Sequence, residues 1–261
     1  MIFLFKLILT PVLVALMSLA ARAWGPTVGG LLMGLPWMTG PILFFLGLEK
    51  GEPFVARAGV GALLGTMGIA AFLLAFITAG RRLGWFPSLA IAMATYILTG
   101  LVTSRLAPPL PVAAFAAAAS LVLVYALIPR GPPLHGPRAL PWWDIPMRML
   151  VTGLLVTVIS FTADALGPVG SGIAASFPVI FIVVGGFTLA WWGATAAAQL
   201  ARGVSLSLLS FTAFFVTVGS TVEPLGLVAS FALGGIVAVV ISGGMIAANR
   251  LWAARQAKAG A

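Results

Sequence analysis

The sequence predicts an all-α, polytopic transmembrane helical bundle of about nine spans, with two inverted four-helix repeats joined by a connector helix. Three observations predict it. The 261 residues are 61% hydrophobic and only 7% charged, with a mean hydropathy of +1.16, whereas a soluble domain carries roughly 25% charged residues to keep its surface wet. The apolar residues fall into long runs separated by short polar turns. The first part of the chain also resembles the second at a single offset. A span needs about 20 apolar residues to cross roughly 30 Å of hydrocarbon, so this length leaves no room for a separate soluble domain.

Nine segments can be drawn, at residues 3–22, 27–48, 55–79, 86–104, 109–128, 147–166, 169–190, 193–218 and 225–249. The first reads as a retained span, with a cleavable leader as the alternative because Lys6 precedes its apolar stretch. The prolines and charges of residues 129–148 read as a linker. The organisation that follows is 1–104 as a first transmembrane repeat, 105–146 as connector helix and linker, and 147–261 as a second transmembrane repeat. Trp142, Trp143, Trp191 and Trp192 read as interfacial anchors, since Trp is enriched at headgroup depth.

Arg22, Arg81, Arg82, Arg130, Arg138, Arg148, Arg250, Arg255 and Lys258 fall on one side of this topology. Lys6, Lys50, Arg57 and Arg105 fall on the other, near Glu49, Glu52, Asp164 and Glu223. Cytoplasmic loops hold the excess of Lys and Arg. The expected placement is therefore a bacterial inner membrane, with the N-terminus outside and the C-terminus cytoplasmic.

The internal likeness is carried by residues 22–36 and 164–178. Gly25 and Pro26 fall on Gly167 and Pro168, Gly30 on Gly172, and Pro36 on Pro178. Small residues face small residues, with Gly29 over Ser171 and Gly34 over Ser176. Leu13, Val14, Ser18 and Ala21 match Leu155, Val156, Ser160 and Ala163 upstream; Gly61, Leu64, Ala71 and Phe72 match Gly203, Leu206, Ala213 and Phe214 downstream. Each segment lies five spans from its copy, and an odd number reverses direction. The copies should be related by a pseudo-two-fold axis in the membrane plane.

Pro26 and Pro168 suit the first position of a helix, where no N–H is needed. Ten residues further, or about 15 Å of rise, Pro36 and Pro178 each remove an interior hydrogen bond and break the helix, freeing the carbonyls of Leu32 and Ala174. Such groups are tolerated in lipid only against protein or a water-filled cavity. Two readings compete for the flanking small residues. They are close-packing contacts between helices, or paired broken helices meet at the midplane as a substrate site. On the second reading Gly29, Gly30, Pro36, Thr39, Ser171, Gly172, Ser176 and Pro178 bind substrate.

Asp164 is the candidate for ion coupling, with helix capping as its alternative role. Arg57, Arg202 and Glu223 lie near segment ends and read as snorkelling groups, with a role in transport as the alternative. The chain has no cysteine and one histidine, His135, which argues against thiolate or histidine metal sites. No HExxH, Walker or GxSxG motif occurs, so neither an enzyme nor a resident cofactor is expected. Nucleic-acid binding would need a basic soluble face, which is lacking.

The run Gly25-Pro-Thr-Val-Gly-Gly-Leu-Leu-Met-Gly-Leu-Pro36, followed by Thr39-Gly-Pro41 and the Phe44-Phe-Leu-Gly-Leu-Glu-Lys-Gly51 turn, is similar to a pattern in bacterial membrane proteins. The architecture resembles small inverted-repeat secondary transporters, which implies alternating access but no particular substrate. The expected function is a transporter or exporter of a small molecule. The alternatives are a lipid flippase or scramblase, and a non-transporting membrane subunit. The expected partners are the lipid bilayer, a small-molecule substrate, and a second copy or a partner subunit.

Overall fold

Among the described residues, ten helical elements follow one another: α1 (Ile2–Trp24), α2 (Pro26–Met33), α3 (Thr39–Lys50), α4 (Glu52–Gly80), α5 (Trp85–Thr103), α6 (Leu110–Leu127), α7 (Asp144–Thr162), α8 (Pro168–Ala175), α9 (Val179–Leu225) and α10 (Leu227–Ala259). The computed structural model describes residues 2–106, 108–131, 141–162 and 168–259, and side chains at 7–106, 108–131, 141–157 and 168–248. His135, Arg138, Asp164 and Gly167 lie outside the described residues, as do the side chains of Lys6, Arg250, Arg255 and Lys258. No strand occurs among the described residues.

Among the described residues, six stretches are long and apolar enough to cross a membrane, the pattern of a multi-pass membrane protein: Leu7–Trp24, Glu52–Gly80, Trp85–Thr103, Leu110–Leu127, Pro168–Leu225 and Leu227–Ala248. The outer faces of α5, α6 and α10 expose Leu98, Phe115 and Val240 among other large apolar side chains. Water would penalise such faces, and hydrocarbon does not.

Prolines and glycines set the element boundaries. α2, α4 and α6 each carry proline in their first two positions, where its missing N–H costs nothing. The 47 residues of α9 would make a rod of about 70 Å, more than twice the hydrocarbon thickness. Gly193, at φ 81° and ψ −179°, divides it into arms 179–192 and 194–225. Gly51, at φ 84° and ψ 172°, makes the same turn between α3 and α4. This corner of backbone space is essentially open to glycine alone.

The segments drawn at 27–48 and 169–190 are each interrupted. The first is α2 and α3, and the second is α8 and the first arm of α9. Boundaries also recur at the offset of the internal likeness. Ile2 and Asp144 open α1 and α7; Pro26–Met33 and Pro168–Ala175 bound α2 and α8; Trp85 and Leu227 open α5 and α10. Gly51 and Gly193 keep the same spacing.

α4 and the second arm of α9 hold most of the buried residues and pack on one another. α8 lies on α4 and α2 on α9, while α5 and α10 flank α4 and α9 respectively. α6 covers α4 and α9 together, and α1 packs on α7. Contacts gather at two ends. At one, Arg22 meets Asp144, Trp143 lies 5.9 Å from Trp191, Gly80 faces Leu189 and Gly131 faces Thr195. At the other, Gly47 faces Leu227, Gly219 faces Leu110 and Gly226 faces Glu52.

Candidate functional site

The two short helices are held by exchange. A Cβ on Gly30 of α2 would collide with the carbonyl oxygen of Leu200, and one on Gly172 of α8 would collide with that of Ala58. The pairs 30–200 and 172–58 are the same contact with the two parts of the chain swapped. The next turn repeats the exchange. Gly34 abuts Ser207, and a Cβ on Gly65 would lie 2.8 Å from the Ser176 Cβ. The reverse surfaces obey it too, since Gly61 is filled by the Val169 carbonyl and Gly203 by that of Thr27. In lipid, where apolar burial between helices gains little, small residues four apart let backbones approach and gain dispersion contact. Here two such crossings reciprocate at the offset of the internal likeness.

At the C-terminal ends of α2 and α8 the chain leaves helical geometry over residues 34–38 and 176–178. The carbonyls expected to be freed by proline are used locally. Leu32 accepts a hydrogen bond from the Trp37 indole N–H at 2.9 Å, and Ala174 accepts one from the Phe177 backbone N–H at 3.2 Å. Neighbouring carbonyls are tied across the fold. The Tyr96 hydroxyl donates to Ile173 at 2.7 Å, and the Thr39 hydroxyl donates to Ala175 at 2.9 Å.

Between the breaks lies a cavity of about 70 Å³, room for a few water molecules. Met33, Leu35, Met38 and Thr39 line it together with Ala175, Phe177, Ile180 and Phe181, their matches at the offset of the internal likeness. Ile69 of α4 and Phe211 of α9, at the same spacing, also line it. No charged side chain lines it. The hydroxyls of Thr39 and Ser176 are its polar groups; Ser176 donates to the Gly172 carbonyl at 3.0 Å. Both oxygens keep lone pairs to accept a hydrogen bond.

Of the residues singled out from the sequence, Thr39, Ser176 and Pro178 line the cavity. Gly30 and Gly172 are filled by helix contacts, and Gly29 packs against Ala21 of α1. Pro36 and Ser171 are half-buried outside the lining. Asp164 falls outside the described residues. The sequence reading missed the apolar lining contributed by Met33, Met38 and Ile180; matching residues across the repeat offset through the breaks would have found it. It also gave Arg202 a snorkelling role. Arg202 is instead only 9% exposed, donates to the carbonyls of Tyr125 at 2.8 Å and Ile128 at 2.5 Å, and lies 4.0 Å over the Tyr125 ring. A cation there closes the C-terminus of α6, where carbonyls lack partners.

No group of three or more His, Asp and Glu capable of holding a metal occurs among the described residues. No family model, curated protein or solved structure matches the chain.

Proposed function

We propose that the protein is a membrane carrier for a small uncharged molecule, working by alternating access at the cavity between the two helix breaks. The observation that carries the reading is that α2 and α8 end at one cavity through contacts that exchange between the two parts of the chain. Contacts at the two ends of the bundle support nine crossings. On this reading α2 starts at the Arg22 end and α8, which follows α7 in the sequence, starts at the opposite end. The two breaks then approach the middle from opposite sides, which is the arrangement of an inverted repeat.

The lining narrows the solute. A charged substrate would enter without a counter-charge at heavy electrostatic cost, whereas two hydroxyl acceptors among apolar and aromatic groups suit a neutral molecule with an N–H or O–H donor. At about 70 Å³ the cavity is far below the few hundred Å³ of an occupied ligand pocket. To admit cargo of that size, α2 and α8 must separate.

Purified protein in liposomes should accelerate the flux of some neutral solute in a size-graded panel above protein-free vesicles. Thr39→Trp, which fills the cavity, should abolish that flux while the protein still unfolds cooperatively. A folded wild type that moves no member of the panel overturns the reading, and faster flip of labelled phospholipid in the same vesicles would replace carriage with scrambling.

A further inference from the structure

Away from the cavity, at the end of the bundle where α1 meets α7, three charges are gathered. Asp144 opens α7 and is fully buried, and Arg148 one turn later is 4% exposed. Arg148 donates through Nε to the Asp144 carboxylate at 2.8 Å, and through its two terminal nitrogens to the same carboxylate at 3.2 Å and to Ser18 Oγ at 3.3 Å. Its guanidinium lies 4.7 Å over the Phe187 ring. Arg22, in the last turn of α1, reaches the same carboxylate from the other side.

Two cations thus share one anion, and Arg148 alone uses both carboxylate oxygens. Among the described residues no further acid reaches the cluster, which keeps one positive charge. Of the five acids in the sequence, Glu49 and Glu52 flank the Gly51 turn and Glu223 precedes the Gly226 turn at the other end of the bundle. Asp164 follows the far end of α7 in the sequence. Arg22 also has a buried Nε with no hydrogen-bond partner, although its side chain is 26% exposed. The Nε itself is buried, so an acceptor from outside would meet the exposed part of this guanidinium, where it would offset the surplus positive charge of the cluster.

The surroundings are those of the headgroup layer. Trp24 and Trp143 are exposed beside Arg22 and Asp144 in the sequence. Trp191 lies against Trp143 with the rings tilted by 57°, and the indole N–H of the next residue, Trp192, is also buried without a partner. We infer that Arg22, held by Asp144 and Arg148, is a binding site for a phosphate monoanion, supplied by an anionic phospholipid headgroup or by free phosphate. Arginine suits phosphate through paired N–H donors, and the interfacial tryptophans favour the lipid source. The inference requires only that the chain be embedded in a membrane and is separate from the carrier reading.

The test follows the unfolding midpoint of the detergent-solubilised full chain by tryptophan fluorescence during titration with phosphatidylglycerol, phosphatidylcholine or inorganic phosphate. Phosphatidylglycerol should raise the midpoint saturably and at lower concentration than phosphatidylcholine. Arg22→Gln, which leaves the Asp144–Arg148 pair intact and neutral overall, should need about tenfold more phosphatidylglycerol for the same rise. Arg81→Gln, which removes an exposed charge, should change nothing. A rise that inorganic phosphate reproduces and lipid does not add to assigns the site to a soluble anion. If Arg22→Gln does not fold, native mass spectrometry of the wild type should still show one tightly retained phosphatidylglycerol. Equal responses to both lipids, unchanged in Arg22→Gln, or no retained lipid and no response to phosphate in the wild type, would overturn the inference.

Discussion

The break after α2 and the break after α8 share their packing and differ in how their carbonyls are held. Each short helix lies glycine-to-backbone on the long helix from the other part of the chain, through Gly30 on α9 and Gly172 on α4. Beyond that the two diverge. The α2 break is closed by its own Trp37, whose indole caps Leu32. The α8 break is pinned from outside, by Tyr96 on Ile173 and Thr39 on Ala175. The position corresponding to Tyr96 is Ala238, and that corresponding to Thr39 is Phe181, and neither side chain has a hydroxyl. Shared contacts therefore build the frame. The unshared ones set how firmly each short helix is held: carbonyls of α8 accept from Tyr96 and Thr39 on other helices, whereas on α2 the Gly30 carbonyl accepts from Ser207 at 3.0 Å.

The shared half of the comparison breaks most easily. Gly30→Ala and Gly172→Ala each force a methyl group into a backbone carbonyl, and overpacking of this kind costs about 1–3 kcal/mol or more. Thermal unfolding in detergent should show two losses of similar size. Gly235→Ala, where a Cβ meets nothing within 4 Å, should cost nothing and gain up to about 1 kcal/mol of helix propensity. Strongly unequal losses for Gly30 and Gly172 would mean that the two crossings are not equivalent.

Arg202→Met tests a contact without a counterpart, since the corresponding residue is Val60. Methionine fills similar volume but leaves the Tyr125 and Ile128 carbonyls without their donor. A loss of about 1–3 kcal/mol is expected, read in the same unfolding experiment as an earlier onset. The smallest effect is expected from Tyr96→Phe, which removes one hydroxyl donor and should cost about 1 kcal/mol, as interhelical hydrogen bonds in membranes do. Amide exchange should quicken at residues 173–177 and stay unchanged at 31–35. Equal quickening at both breaks would deny that Tyr96 holds α8 alone.

Part of this frame was legible in the sequence because proline fixes its own φ and has no N–H to donate. Pro26 and Pro168 therefore marked helix starts and Pro36 and Pro178 marked breaks, whereas glycine adopts most backbone conformations and nothing in the sequence singled out Gly193 as a turn. The partners of Gly30 and Gly172 were harder to see. Gly61, Gly65, Gly203 and Ser207 form small-residue stripes on α4 and α9, but a stripe does not say which helix it receives, and many combinations fit equally well. Burial of charge was the least legible. Arg202 and Arg148 sit near the ends of apolar runs and look alike there. Yet one caps a helix and the other is locked to a carboxylate, because tertiary placement decides which acceptors each can reach.

The central claim is that one cavity, shared by the two breaks, faces each side of the membrane in turn. The chain has no cysteine, so single thiols can be placed at will. Met38→Cys and Ile180→Cys, corresponding residues that line the cavity from opposite breaks, should each react with a membrane-impermeant thiol reagent in both right-side-out and inside-out vesicles. Reaction confined to one side for both thiols, or absent from both sides in folded protein, would contradict it.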